Sequence, residues 1–120
     1  MTVSAVIPIY NVSGYIERCA RSLFSQSLDN IEYIFVNDAT TDNSIDILRS
    51  VLDEIPHRKH QVRIVEHDVN KGLPAARNTG IALASGDYLF NCDSDDFLEP
   101  DMLRLMSVSY THLTLPTNSR

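Results

Sequence analysis

HDVNKGLPAARNTGIALASGDYLFNCDSDD, residues 67–96, carries the pattern from which the fold follows. A polar loop punctuated by Gly72 leads into a helical segment with Pro74 in its first turn, where a missing N–H costs nothing. Gly80 stands inside that helix at a cost of about 1 kcal/mol against Ala, so close backbone packing is expected there. Gly86 is expected to end the helix. DYLFNC (87–92) then reads as a strand, and three carboxylates, Asp93, Asp95 and Asp96, follow directly.

The same alternation extends in both directions. VRIVEH (62–67) is a strand before the loop, and VSAVIPI (3–9) is a strand buried on both faces with Pro8 at its exit. Ser13 could cap a helix in which Tyr15, Ile16, Cys19, Ala20, Leu23 and Phe24 form one apolar stripe. IEYIFVND (31–38) is a further strand. A helix starting at Thr41 or Asp42 follows, with Ile45, Leu48, Val51, Leu52 and Ile55 on one face. EPDMLRLM begins a last helix with Pro100 near its N-terminus. Apolar strands alternating with helices predict an α/β fold: a parallel sheet covered on both faces. Ligands of such sheets lie beyond the carboxyl ends of the strands. Tyr10 and Asn11, Asn37 and Asp38, His67 to Gly72, and Asp93 to Asp96 all fall at those ends.

Composition sets outer limits. The chain has 120 residues, 43% hydrophobic and 22% charged, which fits one domain or part of one. Its net charge of −6 disfavours nucleic acid as a partner, because a phosphate backbone wants a surplus of Lys and Arg. A smaller polyanion could still bind through amides, a metal and a local cation. Cys19 and Cys92 follow no metal spacing and read as buried thiols, which points to a cytoplasmic setting. No stretch approaches 18 apolar residues. Residues 107–120, SVSYTHLTLPTNSR, have neither period, so the native domain is expected over 1–106, followed by a non-native or disordered tail.

The acidic cluster has several readings. As a calcium loop it fails, since Phe97, Leu98 and Arg104 stand where an acid or amide, Gly and Glu belong. A solvent-open loop gives little desolvation to raise a carboxyl pKa for acid/base work. A hard divalent cation suits it better, and a solvated turn with Asp96 as helix cap is the plainer alternative. Asn37-Asp38 could form a turn or accept a ligand hydrogen bond. Arg77 could be an ordinary ion-pairing residue or face the same rim, and a strand-end His67 is more often structure than catalyst. No G-x-G-x-x-G or P-loop pattern occurs, which removes a dinucleotide fingerprint and a P-loop NTPase. A phosphoacceptor receiver would need an acid pair at the first strand end, where this chain has Pro8-Ile9-Tyr10-Asn11.

AVIPIYN, VNDATTDNS, HDVNKGLPAARNTGIALASGDYLFNCDSDD and EPDML, in that order and spacing over residues 3–106, resemble the family 2 glycosyltransferases. The resemblance implies an inverting enzyme and a Rossmann-like GT-A nucleotide-sugar-binding domain, truncated after about four β-α units. It implies a nucleotide-sugar donor, usually UDP-linked, with Mn²⁺ or Mg²⁺, and a saccharide or lipid-linked acceptor. Peripheral membrane association through segments outside this chain would be compatible with it. Carried over by position, Pro8 and Tyr10 would border the base and Asp38 would accept a hydrogen bond from it. Arg77 would sit beside the nucleotide, Asp93 near the ribose and sugar, and Asp95 on the metal, with Asp93 close to it. Asp96 would be a helix cap or lie behind the metal ligands.

Two departures qualify the resemblance. The turn after the second strand usually reads D-G-S or D-A-S, and here it is Asp38-Ala39-Thr40, with Ala less free than Gly. No residue matches the family's general base, which lies farther along, so these 120 residues are expected to bind nucleotide weakly and transfer no sugar. The alternative function is a nucleotide-sugar-binding module without transferase activity.

Overall fold

The structure is a computed structural model that describes residues 2–109. Four strands, β1 (Val3–Ile9), β2 (Ile31–Asn37), β3 (Val62–Glu66) and β4 (Tyr88–Asn91), alternate with helices α1 (Ile16–Phe24), α2 (Ser44–Glu54), α3 (Leu73–Leu83) and α4 (Met102–Ser109). A short 3-10 helix, Pro56–Gln61, leads into β3. The sheet is wholly parallel in the order β3-β2-β1-β4. The chain steps outward from β1 to β3, then crosses back to place β4 on the other side of β1. The order therefore reverses between β1 and β4, where a crevice opens beyond the strand ends.

Every residue of β1 is buried, as a central strand covered on both faces requires. Pro8 sits in it without loss of a ladder bond. Val6 accepts from the Cys92 amide on the β4 side, so Pro8, of the same parity, also faces that side, where β4 has already ended at the Val6–Asn91 pair. On one face Val3, Ala5, Ile7, Tyr33 and Phe35 pack with Ile16, Leu23, Leu48 and Leu103 into the larger core. Phe24 meets Tyr33 edge-on at 5.1 Å between ring centroids. On the other face Ile34 and Val36 pack with Ala76 of α3. Gly80 confirms its expected role: a Cβ there would fall on Val6 and Val36.

Element ends depart from the sequence reading in several places. Ser13 does not cap α1; Tyr15 occupies that position, without a side-chain cap. Instead the Ser13 amide donates to Asp42 Oδ2 at 3.0 Å. α2 starts at Ser44 rather than Thr41 or Asp42, because Thr40 to Ser44 are engaged in a loop network. α3 ends at Leu83, so Gly86 does not terminate it. Gly86 is small for another reason: a Cβ there would lie 2.6 Å from Ser4 Oγ, to which its N–H donates. α4 runs through Ser109. The remainder of the expected tail, residues 110–120, lies outside the described residues. No helix among the described residues is long and apolar enough to cross a membrane.

Candidate functional site

Four strand ends build one cavity of about 480 Å³ at the switch point. Pro8 and Tyr10 come from the end of β1, Asp38 from the end of β2, Asn70 and Gly72 from the loop into α3, and Leu73 from the first turn of α3. Asp93, Ser94 and Asp95 come from the loop after β4. Of the residues singled out in the sequence, Pro8, Tyr10, Asp38, Asp93 and Asp95 thus share one cavity. Arg77 does not line it; it borders a neighbouring depression with Pro74 and Asn91. Its guanidinium nevertheless reaches the acidic loop, with Nη2 2.7 Å from Asp93 Oδ1.

The walls differ in character. Tyr10 is 44% exposed and offers a ring at the mouth, a surface suited to stacking on a flat heterocycle. Asp38 is buried. It accepts from the Lys71 and Gly72 amides at 2.9 Å each, and its Oδ1 lies 2.8 Å from His67 Nδ1. Burial pushes its carboxyl pKa up, but the His67 bond and the two amides outweigh this and hold it below the ordinary value. Gly72 can supply its amide because it adopts φ 94°, a conformation that side chains rarely take.

The loop after β4 is fastened from beneath. Cys19 and Cys92 are buried free thiols with sulfurs 3.8 Å apart, and they approach the Asp93 carbonyl at 3.7 and 3.4 Å. The Cys19 contact and burial raise the Cys92 pKa, so it stays a thiol. Asp96 is no cap for α4; its Oδ2 accepts from the Asp93 amide at 3.3 Å, within its own turn. Asp93 and Asp95 are left with exposed carboxylates on the cavity wall.

These two acids suit a hard divalent cation. Such ions take one or two protein carboxylates and fill the remaining positions with water and phosphate oxygens. Among the described residues no three His, Cys, Asp or Glu side chains gather into a closed metal cage.

A second network went unnoticed in the sequence. Asp42 Oδ1 accepts from the hydroxyls of Thr40 (2.7 Å) and Ser44 (2.6 Å), and Oδ2 from the Ser13 amide. Asn11, at φ 51°, receives the Thr41 amide on its Oδ1 and donates its own N–H to Thr40 Oγ1 at 2.7 Å. These bonds lock the loops after β1 and β2 together and set the edge that carries Tyr10 and Asp38. The Asp-x-Ser spacing of Asp42 and Ser44 was the available signal.

A parallel sheet with its cavity at the reversal of strand order is a doubly wound α/β arrangement, and its likeness to solved glycosyltransferases makes it the GT-A fold. The family model for Glycosyl transferase family 2 matches residues 4–107, and the chain belongs to that family. Glycosyltransferase GlyA of Streptococcus pneumoniae serotype 4 is 38% identical over 104 residues, covering 87% of this chain and 14% of that protein. S. aureus TarS 1–349 in complex with UDP superposes with a TM-score of 0.80 at 24% identity, covering 92% of this chain and 32% of that one. The mannosyltransferase PcManGT from Pyrobaculum calidifontis, in complex with GDP-Man and Mn²⁺, gives 0.85 at 23%, covering 93% and 33%. At these identities the two structures speak for the fold. The chain therefore spans a third or less of the length of these relatives.

Proposed function

We propose that these residues form the donor-binding part of an inverting glycosyltransferase that uses a UDP-linked sugar and Mn²⁺ or Mg²⁺. The observation that carries this reading is the single cavity uniting Pro8, Tyr10, Asp38, Asp93 and Asp95. Tyr10 stacks on the base and Asp38 accepts its N–H, with Pro8 forming the floor. Asp93 faces the ribose and sugar, and Asp95 with Asp93 would hold the metal. A bound divalent cation would neutralise the charge that develops on the departing diphosphate. Arg77 pairs with Asp93, and its guanidinium would offer a charge-assisted donor to a phosphate of the nucleotide.

Inversion also needs a general base on the far face of the sugar, to take the proton of an acceptor hydroxyl. The acids lining the cavity are Asp38, buried and engaged, and Asp93 and Asp95 on the metal side. The base is assigned to sequence beyond these 120 residues. The acceptor, a saccharide or lipid-linked saccharide of polysaccharide or cell-wall biosynthesis, is assigned there too, with the donor side facing the cytoplasm.

Calorimetric titration with UDP and GDP, with and without Mn²⁺, tests the reading. UDP should bind weakly and only with Mn²⁺, GDP more weakly still. Asp95→Ala should weaken UDP binding at least about tenfold, the worth of one charge-assisted contact. UDP-sugar incubated with the same protein and an acceptor should be recovered unconsumed. Metal-independent binding untouched by Asp95→Ala would count against the assignment.

A further inference from the structure

Asp38 does not hold its carboxylate alone. His67, the first residue after β3, has a side chain only 7% exposed, and both ring nitrogens are engaged. Nδ1 lies 2.8 Å from Asp38 Oδ1, and Nε2 lies 2.7 Å from Thr79 Oγ1 on α3. Asp38 can only accept, so Nδ1 must carry the proton in that bond. The Lys71 amide donates to the same Oδ1 and the Gly72 amide to Oδ2.

A carboxylate oxygen offers two lone-pair directions. His67 and Lys71 take both on Oδ1, and Gly72 takes one on Oδ2. One acceptor position, on Oδ2, remains on the carboxylate that lines the cavity. His67 itself is not among the residues lining that cavity. Its place is behind Asp38, joining the ends of β2 and β3 to α3.

We propose that His67 is a positioning residue: its Nδ1–H fixes the Asp38 carboxylate so that a single acceptor oxygen meets one N–H of the nucleotide base. The proposal rests on the donor-site reading above and adds to it the group that aims Asp38. Without that bond the carboxylate can rotate about its last torsion, held by two amides alone, and its hydrogen bond to the base weakens.

The test pairs protein variants with two ligands, each titrated with Mn²⁺: UDP, and its N3-methyl analogue, in which the base N–H is replaced by a methyl group. Wild type should prefer UDP over the analogue by about tenfold, as expected for a hydrogen bond to a charged acceptor. His67→Gln, which withdraws the donor from Asp38, should bind UDP about tenfold more weakly and discriminate little between the two. His67→Asn, whose side-chain nitrogen takes the place of Nδ1, should restore most of the preference. A His67→Gln protein that keeps the wild-type preference, or loses affinity for both ligands equally, overturns the proposal. Failure of the donor-site reading is distinguishable, because wild type would then bind neither ligand. A ligand-free measurement stands apart from both: ¹⁵N shifts of the wild-type imidazole should show Nδ1 protonated. A tautomer protonated only at Nε2 overturns the proposal even if a variant does not fold.

Discussion

Ala39 sits at φ 57°, in the left-handed region, beside the acid that lines the cavity. An L-residue pays about 1–2 kcal/mol for that conformation, and glycine does not. The D-A-T turn thus keeps the geometry that glycine would take freely, at the cost of strain. Ala39→Gly should raise stability by about 0.5–1 kcal/mol, after allowance for the extra freedom of glycine in the unfolded chain, as read by urea unfolding. Asp42 makes a pH prediction. Burial pushes its carboxyl pKa up, but the Ser44 and Thr40 hydroxyls and the Ser44 and Ser13 amides overcome this and hold it well below the ordinary range. A depressed pKa contributes stability that is present above the unfolded value, about 3.9, and is lost as pH falls through the folded one. Asp42→Asn should therefore be less stable at pH 7, and the gap to wild type should close as pH is lowered below about 4. A gap independent of pH in thermal melts would contradict this. At this scale the sequence was legible where a residue's position follows from its place at a strand end, as for Pro8, Tyr10, Asp38, Asp93 and Asp95, which line one cavity. It was not legible where partners lie far along the chain. Arg58 is buried and donates to the carbonyls of Phe24, Gln26, Leu28 and Asp29, and nothing in its neighbours signals that.

Among the elements, the strands were the most legible, because continuous apolar runs admit few other readings in a parallel sheet. Helix starts were the least. Asn, Asp, Ser and Thr crowd residues 37–44, and each can serve a loop as well as a cap. In the fold Asp42 serves the loop, and α2 begins two residues later. The acidic loop lies at the rim where the sequence places it, but of the two expectations for Asp96 the helix cap fails, because its turn closes on Asp93 rather than on α4. Gly80 is the contact that lets α3 lie directly on β1 and β2. Gly80→Ala would drive a methyl group onto Val6 and Val36. Overpacking at such a site costs about 1–3 kcal/mol, which outweighs the gain in helix propensity of about 1 kcal/mol. A net loss in denaturant unfolding is expected, together with weaker UDP binding, since α3 carries Leu73 and Ala76 into the cavity. A variant as stable as wild type would show that α3 does not depend on this contact.

At the scale of the whole molecule, strand order was the part that the sequence could not show. Four β-α units are compatible with several orders, and only the crossing back to β4 brings Asp93 and Asp95 opposite Tyr10 and Asp38. That crossing turns four polar strand ends into one cavity. Cys19 beneath the acidic loop and Arg77 beside it are likewise consequences of topology. The molecule is polarised as a result. Polar chemistry gathers at the carboxyl ends of the strands, while Ser4, Glu32, Ser85 and Gly86 tie up the opposite end. This polarity makes the central claim measurable by paramagnetic NMR, with Mn²⁺ added to the protein in the presence and absence of UDP. Amide signals of residues 93–96 should broaden first and more strongly with UDP present, those around Glu32 and Ser85 should stay sharp, and Asp95→Ala should abolish the effect. Broadening that ignores UDP and survives Asp95→Ala, or that centres on the Glu32 end of the sheet, would contradict a nucleotide-completed metal site on the acidic loop.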